Sequence, residues 1–274
     1  MTLRMRMVPV YLLFVAGSAV MLVPFLWMIS TSLKENAEVF AYPPVWLPSK
    51  PLWSNYTYVM ELLPFGRYLL NTTLVATTVT FLEVLTSSLA AYSFARIPFP
   101  GRDRLFLVYL ATLMVPGQVT IIPNFLVVSW LGWNNTYLAL IIPAAFSAFG
   151  TFLLRQFFLS IPVELEQAAR IDGCGYVGIY RHIILPLSGP AMATLTIFVF
   201  MTQWNAFLWP LIVTNSENLR TLTVGLSYFR DEAASQFHYL MAGTVINVVP
   251  ILIVYVALQR YFVRGIALTG LTGR

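Results

Sequence analysis

Apolar and polar residues are not interleaved along this chain; they are segregated into long blocks. Six apolar runs, approximately Val8 to Ser30, Tyr68 to Tyr92, Leu105 to Val127, Tyr137 to Phe158, Leu187 to Val213 and Leu240 to Phe262, each reach the ~20 residues that a membrane-spanning helix requires. The pattern predicts an all-α polytopic membrane protein with six transmembrane helices. Its most polar long interval, "ELEQAARIDGCGYVGIYRHIILP" from Glu164 to Pro186, lies between the fourth and fifth runs and predicts an elaborate insert there. The first run follows "MTLRMRM", is too long for a signal core and lacks a small-residue cleavage pattern, so it reads as a retained helix.

Composition strengthens the membrane assignment. Hydrophobic residues make up 58% and charged residues 10% of the chain, far from the roughly 25% charged of soluble domains, and mean hydropathy is +0.76. The net charge of +5 does not indicate nucleic acid, because the basic residues are scattered through loops. Six spans would place Arg4, Arg6, Arg96, Arg102, Arg104, Arg155, Arg170, Arg181, Arg260, Arg264 and Arg274 on one side. The opposite side would carry Lys34, Lys50, Arg67, Arg220 and Arg230. By the positive-inside rule, both termini and the polar insert are expected in the cytoplasm. The single cysteine, Cys174, excludes an internal disulfide and a cysteine metal cluster. No repeat, low-complexity tract or soluble domain is visible, so residues 1–274 are expected to form one membrane domain.

The loops differ in character. "KENAEVFAYPPVWLPSKPLWSNYTYVMELLPFG" predicts an extended arm and then a short interfacial helix, with Trp and Tyr at headgroup level. "ARIPFPGRDR" predicts a basic turn, "VPGQVTIIPN" and "SWLGWNNT" carry no charge, and "TNSENLRTLTVGLSYFRDEAASQ" is long enough to reach a partner outside.

Within the insert, Ser160 or Ile161 can cap a helix with Pro162 in its first turn, where a missing amide costs nothing and Glu164 and Glu166 suit the positive end. Glu166 and Arg170 stand at i, i+4, and Gly173 after Asp172 predicts a left-handed stop. Leu165, Ala168, Ala169 and Asp172 are expected on one face, where two alanines permit close approach. A second short helix, "YVGIYRHIIL", should end at a bend set by Pro186. An ordinary solvated loop helix would explain the amphipathic turn alone. It does not explain the spacing A-A, three residues, G, nine residues, I-x-L-P, met by Ala168, Ala169, Gly173, Ile183, Leu185 and Pro186.

That segment resembles the EAA loop of ABC-importer permeases. "TSLKENAEVFAYPPVWLP", "AAYSFARIPFPGR", "WNAFLWPLIV" and "QRYFVRGIALTGLTGR" extend the likeness to the MalG-like subunits of carbohydrate importers. The resemblance implies a permease of the bacterial or archaeal inner membrane, surrounded by lipid. It would pair with a second, MalF-like permease, sit on two cytoplasmic ATP-binding subunits, and receive a sugar or sugar derivative from an extracytoplasmic solute-binding protein. In that family the EAA helix docks in an ATPase cleft, which implies a coupling segment at about residues 159–186. The residues carried over are Glu166, Gln167, Ala168, Ala169, Arg170, Asp172, Gly173, Ile183, Leu185 and Pro186. One departure is plain: the first motif position is usually Glu and here it is Gln167, leaving an amide there and Glu166 as an alternative carrier of the charge.

Glu83 lies inside the second run, where a carboxylate costs roughly 2.5–3.5 kcal/mol, and is expected to face protein or water. In the fifth run Thr202, Gln203, Trp204 and Asn205 offer neutral hydrogen-bonding groups and a ring, which suit either a hydroxylated solute or helix packing. Successive helical residues point about 100° apart, so at most two of Gln203, Trp204 and Asn205 should face one cavity. Asn124 and Ser147 are weaker pathway candidates. His182 and His238 are expected on opposite sides of the membrane and cannot share a metal. No Walker A loop, phosphate cradle or acyl-transfer set is present, so no cofactor is expected on this chain, and ATP with Mg2+ belongs on a partner. A non-sugar importer, and an ATP-independent channel or secondary transporter, are the alternative readings.

Overall fold

A computed structural model describes residues 2–232 and 236–269. Helices are the only regular structure among them. In chain order they are α1 (Thr2–Ser32), α2 (Asn36–Val39), α3 (Ser54–Leu62), α4 (Phe65–Arg96), α5 (Arg102–Ala111), α6 (Gly117–Trp130), α7 (Tyr137–Ile141), α8 (Ala148–Ser160), α9 (Val163–Ile171), α10 (Tyr176–Ile179), α11 (Leu185–Leu187), α12 (Gly189–Trp204), α13 (Leu208–Val213), α14 (Leu222–Glu232) and α15 (Phe237–Thr269). A π-helical stretch, Tyr180–Ile184, joins α10 to α11. Arg274 and the end of the terminal motif, 270–274, lie outside the described residues, as do 233–235 of the last polar loop.

Three helices, counted over Val10–Ser32, Phe65–Arg96 and Phe237–Ala257, are long and apolar enough to cross a membrane among the described residues. Six qualify if each of three bent pairs is one span. The third apolar run is broken by 99° between Arg102–Met114 and Gly117–Trp130. Val115 must be extended ahead of Pro116, and the helix restarts after it. The fourth bends by 40°, where Ser147 takes an extended conformation and its Oγ accepts from the Gly150 amide to restart the helix. The fifth run begins helical much earlier than its hydropathy, at Tyr176, bends by 77°, and ends at Trp204 rather than Val213. Pro186 does not itself make that bend. Its missing amide is accommodated by the π stretch before it, and the break falls two residues later at Ser188, ahead of Pro190.

The residues form two compact units, one drawn from 1–66 and 225–250, the other from 67–224 and 251–274. In the first, the predicted arm and short helix appear as 40–53 and α3, tied to the end of α1. Asn55 donates to the Ser32 and Lys34 carbonyls at 2.9 and 3.0 Å, and Ser32 Oγ meets the Tyr56 hydroxyl at 2.7 Å. Lys34 is fully buried, lies 4.0 Å over the Trp27 ring and donates to the Val45 carbonyl; burial pushes its pKa down, opposed by nearby Glu38. The apolar window of α1 buries nothing inside this chain, leaving its side chains for lipid or another subunit.

The core of the second unit gathers Val75, Val79, Ala91, Tyr92, Ala95, Leu154, Phe158, Ile184 and Leu195 from α4, α8, the π stretch and α12. Small residues bring backbones together there, as expected where lipid offers helices no hydrophobic drive to associate. At the other end of α4, Asn71 donates to the Asn218 and Arg220 carbonyls and accepts from the Tyr137 hydroxyl at 2.7 Å, while Thr72 Oγ1 accepts from the Leu222 amide. These bonds fix the loop before α14.

Candidate functional site

The insert folds much as its residues dictate. α9 starts at Val163, after Pro162 rather than a Ser160 cap, with Glu164 and Glu166 in its first turn and Arg170 in its last. Gly173 adopts φ +87°, its amide bonds the Arg170 carbonyl, and the Cys174 amide reaches the Ala169 carbonyl at 2.9 Å. This closes the helix with the left-handed stop that its sequence predicts. Arg170 lies over the Tyr176 ring at 5.0 Å rather than pairing with Glu166.

The orientation of α9 corrects the expected gripping face. Glu166 and Ala169, at i and i+3, point into the protein and are buried, while Gln167 and Ala168 are exposed. The two alanines are therefore divided between faces. The outward surface presents Leu165, Ala168 and Asp172, with Ile171 87% and Val177 79% exposed. Glu166 decides this direction. Its Oε1 lies 3.0 Å from Arg96 Nε at the end of α4, with both side chains nearly inaccessible. The angle falls outside hydrogen-bond geometry, leaving an electrostatic pair. Arg96 spends Nη2 on the carbonyls of Phe158 and Ile161 at the end of α8, where a cation is favoured. Glu166 is thus committed inside the chain, while Gln167 stands exposed.

Two further contacts bind the insert to α4. The Tyr92 hydroxyl donates to the Tyr176 carbonyl at 3.0 Å, and Ser88 Oγ meets the Tyr180 hydroxyl at 2.7 Å. Ile184 is fully buried, Ile183 and Leu185 are half-buried and Pro186 is exposed. Nearby, Arg155 pairs with Asp103 at 3.5 Å, donates to the Phe94 carbonyl and covers the Phe106 ring.

A second candidate is a cavity of about 420 Å³ toward the other end of the same unit. Thr72, Thr120, Asn124, Thr202, Gln203 and Thr221 supply its polar lining, Val75, Ile121, Leu140, Pro143, Phe207 and Trp209 supply apolar walls, and no lining residue is charged. Of the pathway candidates, Thr202, Gln203 and Asn124 meet here, and Trp204, Asn205 and Ser147 do not. Trp204 is 1% exposed and stacks on Phe200 at 5.4 Å, which makes it core. Asn205 caps the end of α12, its amide nitrogen donating to the Met201 carbonyl at 2.8 Å. Ser147 caps α8 through the Gly150 amide, and Glu83 is buried in α4.

Among the described residues no group of His, Cys, Asp and Glu could hold a metal ion. Sequence reasoning missed Arg96, Asn71 and Gly150. Arg96 had only its place in a basic loop to mark it, and Gly150 carried no turn signal because its need is for space. A Cβ there would lie 2.6 Å from Ser87 Oγ.

The chain is 36% identical over 245 residues to the arabinooligosaccharides transport system permease protein AraQ of Halalkalibacterium halodurans, covering 89% of this chain and 86% of that one. It is 32% identical over 264 residues to the sn-glycerol-3-phosphate transport system permease protein UgpE of Yersinia pestis, covering 93% and 94%. The structure matches a chain in the crystal structure of a bacterial ABC transporter involved in the import of the acidic polysaccharide alginate, with a TM-score of 0.83, 25% identity, and 94% and 97% of the two chains covered. Residues 83–268 match the family described as the binding-protein-dependent transport system inner membrane component, and the chain belongs to that family.

Proposed function

We propose that this chain is a membrane-spanning subunit of an ATP-driven importer for a sugar or sugar derivative. It pairs with a second permease, receives solute from an extracytoplasmic binding protein, and couples through α9 to two cytoplasmic ATPases that hold ATP and Mg2+. On this reading the termini and α9 face the cytoplasm of a bacterial or archaeal cell, and the membrane is the inner one. The observation that carries the coupling role is the division of α9. One face is anchored by Glu166 and Ala169, while Leu165, Ala168 and Ile171 stand exposed with Gln167, a largely apolar surface suited to a partner's cleft. The uncharged cavity containing Asn124 and Gln203 supports a neutral hydroxylated solute, whose hydroxyls need donors and acceptors rather than fixed charge.

The test is copurification. Coexpressed with its second permease and ATPase, the chain should retain both, and Ala168→Trp should release the ATPase while keeping the second permease. Full retention of the ATPase by that variant would refute docking on this face.

A further inference from the structure

We propose that Ser88, Tyr92 and Arg96 are positioning residues that carry movement of α9 into α4 and α8. The proposal rests on the reading of α9 as the ATPase-docking helix. The three residues stand at i, i+4 and i+8, one stripe of α4, and each holds a different part of the insert: the Tyr180 hydroxyl, the Tyr176 carbonyl and the Glu166 carboxylate.

The contacts differ in kind. Ser88 and Tyr92 make directional hydrogen bonds at 2.7 and 3.0 Å, which pin α10 and the π stretch to α4. Arg96 is anchored by Nη2 to the end of α8 and offers Glu166 a charge outside hydrogen-bond geometry. Coulomb attraction in a buried site falls slowly with distance, so this pair tolerates a shift of α9 that would break a hydrogen bond. Between the pinned and the charge-held parts lie Gly173, at φ +87°, and Gly175, neither with an atom within 4 Å of where a Cβ would stand. The arrangement lets α9 pivot at the glycines while Arg96 delivers the displacement to α4 and α8 together.

The experiment uses the complete complex in vesicles, with its second permease, ATPases and binding protein. It measures solute transported per ATP hydrolysed and hydrogen exchange over 163–171. Tyr92→Phe removes one hydroxyl without changing shape, and should lower the ratio about fivefold at full assembly, the scale of one net hydrogen bond. Arg96→Gln should lower it further and raise exchange in α9, with Arg96→Lys intermediate. An unchanged ratio in Tyr92→Phe and Arg96→Lys would overturn the proposal, as would an equal fall in Gly150→Ala, whose added methyl would press on Ser87 and Leu195 and not on Ser88, Tyr92 or Arg96. If Arg96→Gln fails to assemble, Tyr92→Phe decides. Failure of the docking reading is distinguishable, because it appears as ATPase retained by Ala168→Trp whatever the stripe variants do.

Discussion

Gly150 brings α8 against Ser87 of α4 and Leu195 of α12, and adding one methyl group there tests that packing. A Cβ would stand 2.6 Å from Ser87 Oγ, 3.2 Å from Ser87 Cβ and 3.3 Å from Leu195 Cδ1. Ser87 and Leu195 are both buried, so neither has solvent to retreat into. Rotating the Ser87 hydroxyl relieves the worst contact but leaves the other two, and overpacking of this kind costs about 1–3 kcal/mol. The Ser87 hydroxyl has no hydrogen-bond partner, so Ser87→Ala should be neutral or slightly stabilising. Combined with Gly150→Ala it should recover part of the loss, because the 2.6 Å contact disappears while those at 3.2 and 3.3 Å remain. The assay is thermal unfolding of the detergent-solubilised protein, read as a double-mutant cycle. A Gly150→Ala variant that melts with the parent, or a double variant no better than the single, would refute the close approach.

Gly173→Ala places a side chain at φ +87° with no steric neighbour, so it should cost about 1 kcal/mol from backbone strain alone; Gly173→Asn should cost less, both read by hydrogen exchange at 163–175. Gln203→Ala should raise the solute concentration for half-maximal transport about fivefold while assembly persists, the scale of one net hydrogen bond. Asn205→Ala should leave that concentration unchanged, since its side chain bonds the Met201 carbonyl at the end of α12. The Ser49 amide and side chain hold the Glu38 carboxyl below the usual carboxylate range. A depressed acid stabilises above its unfolded pKa and loses that contribution as pH falls through the folded value. Protease nicking of 35–50 should therefore increase as pH drops below about 4, and Glu38→Gln should abolish the change.

Signals confined to a few residues were legible in the sequence. The left-handed stop at Gly173 follows from one turn of chain, and the apolar runs mark where membrane helices lie because lipid demands them whatever surrounds them. The bends were only half legible. The third run reads as one continuous span, and its 99° break at Pro116 had no counterpart in that reading; a bend was expected at Pro186, and the break lies two residues later at Ser188, after the π stretch.

The direction in which α9 faces was not legible, and the reason is energetic. Helical spacing alone grouped Ala168 and Ala169 with Leu165 and Asp172. Burial of Glu166 carries a desolvation cost that only a partner can offset. The partner is Arg96, far earlier in the chain and itself fixed by the two carbonyls at the end of α8. The rotation of α9 is therefore set by the pairing of the buried Glu166 carboxylate with Arg96. The exposed surface, Leu165, Ala168 and Ile171, is what remains. A charge pair with no local signature thus determines which residues the helix presents to another subunit, so Glu166→Gln should loosen the orientation of α9 before it alters any residue on the presented face.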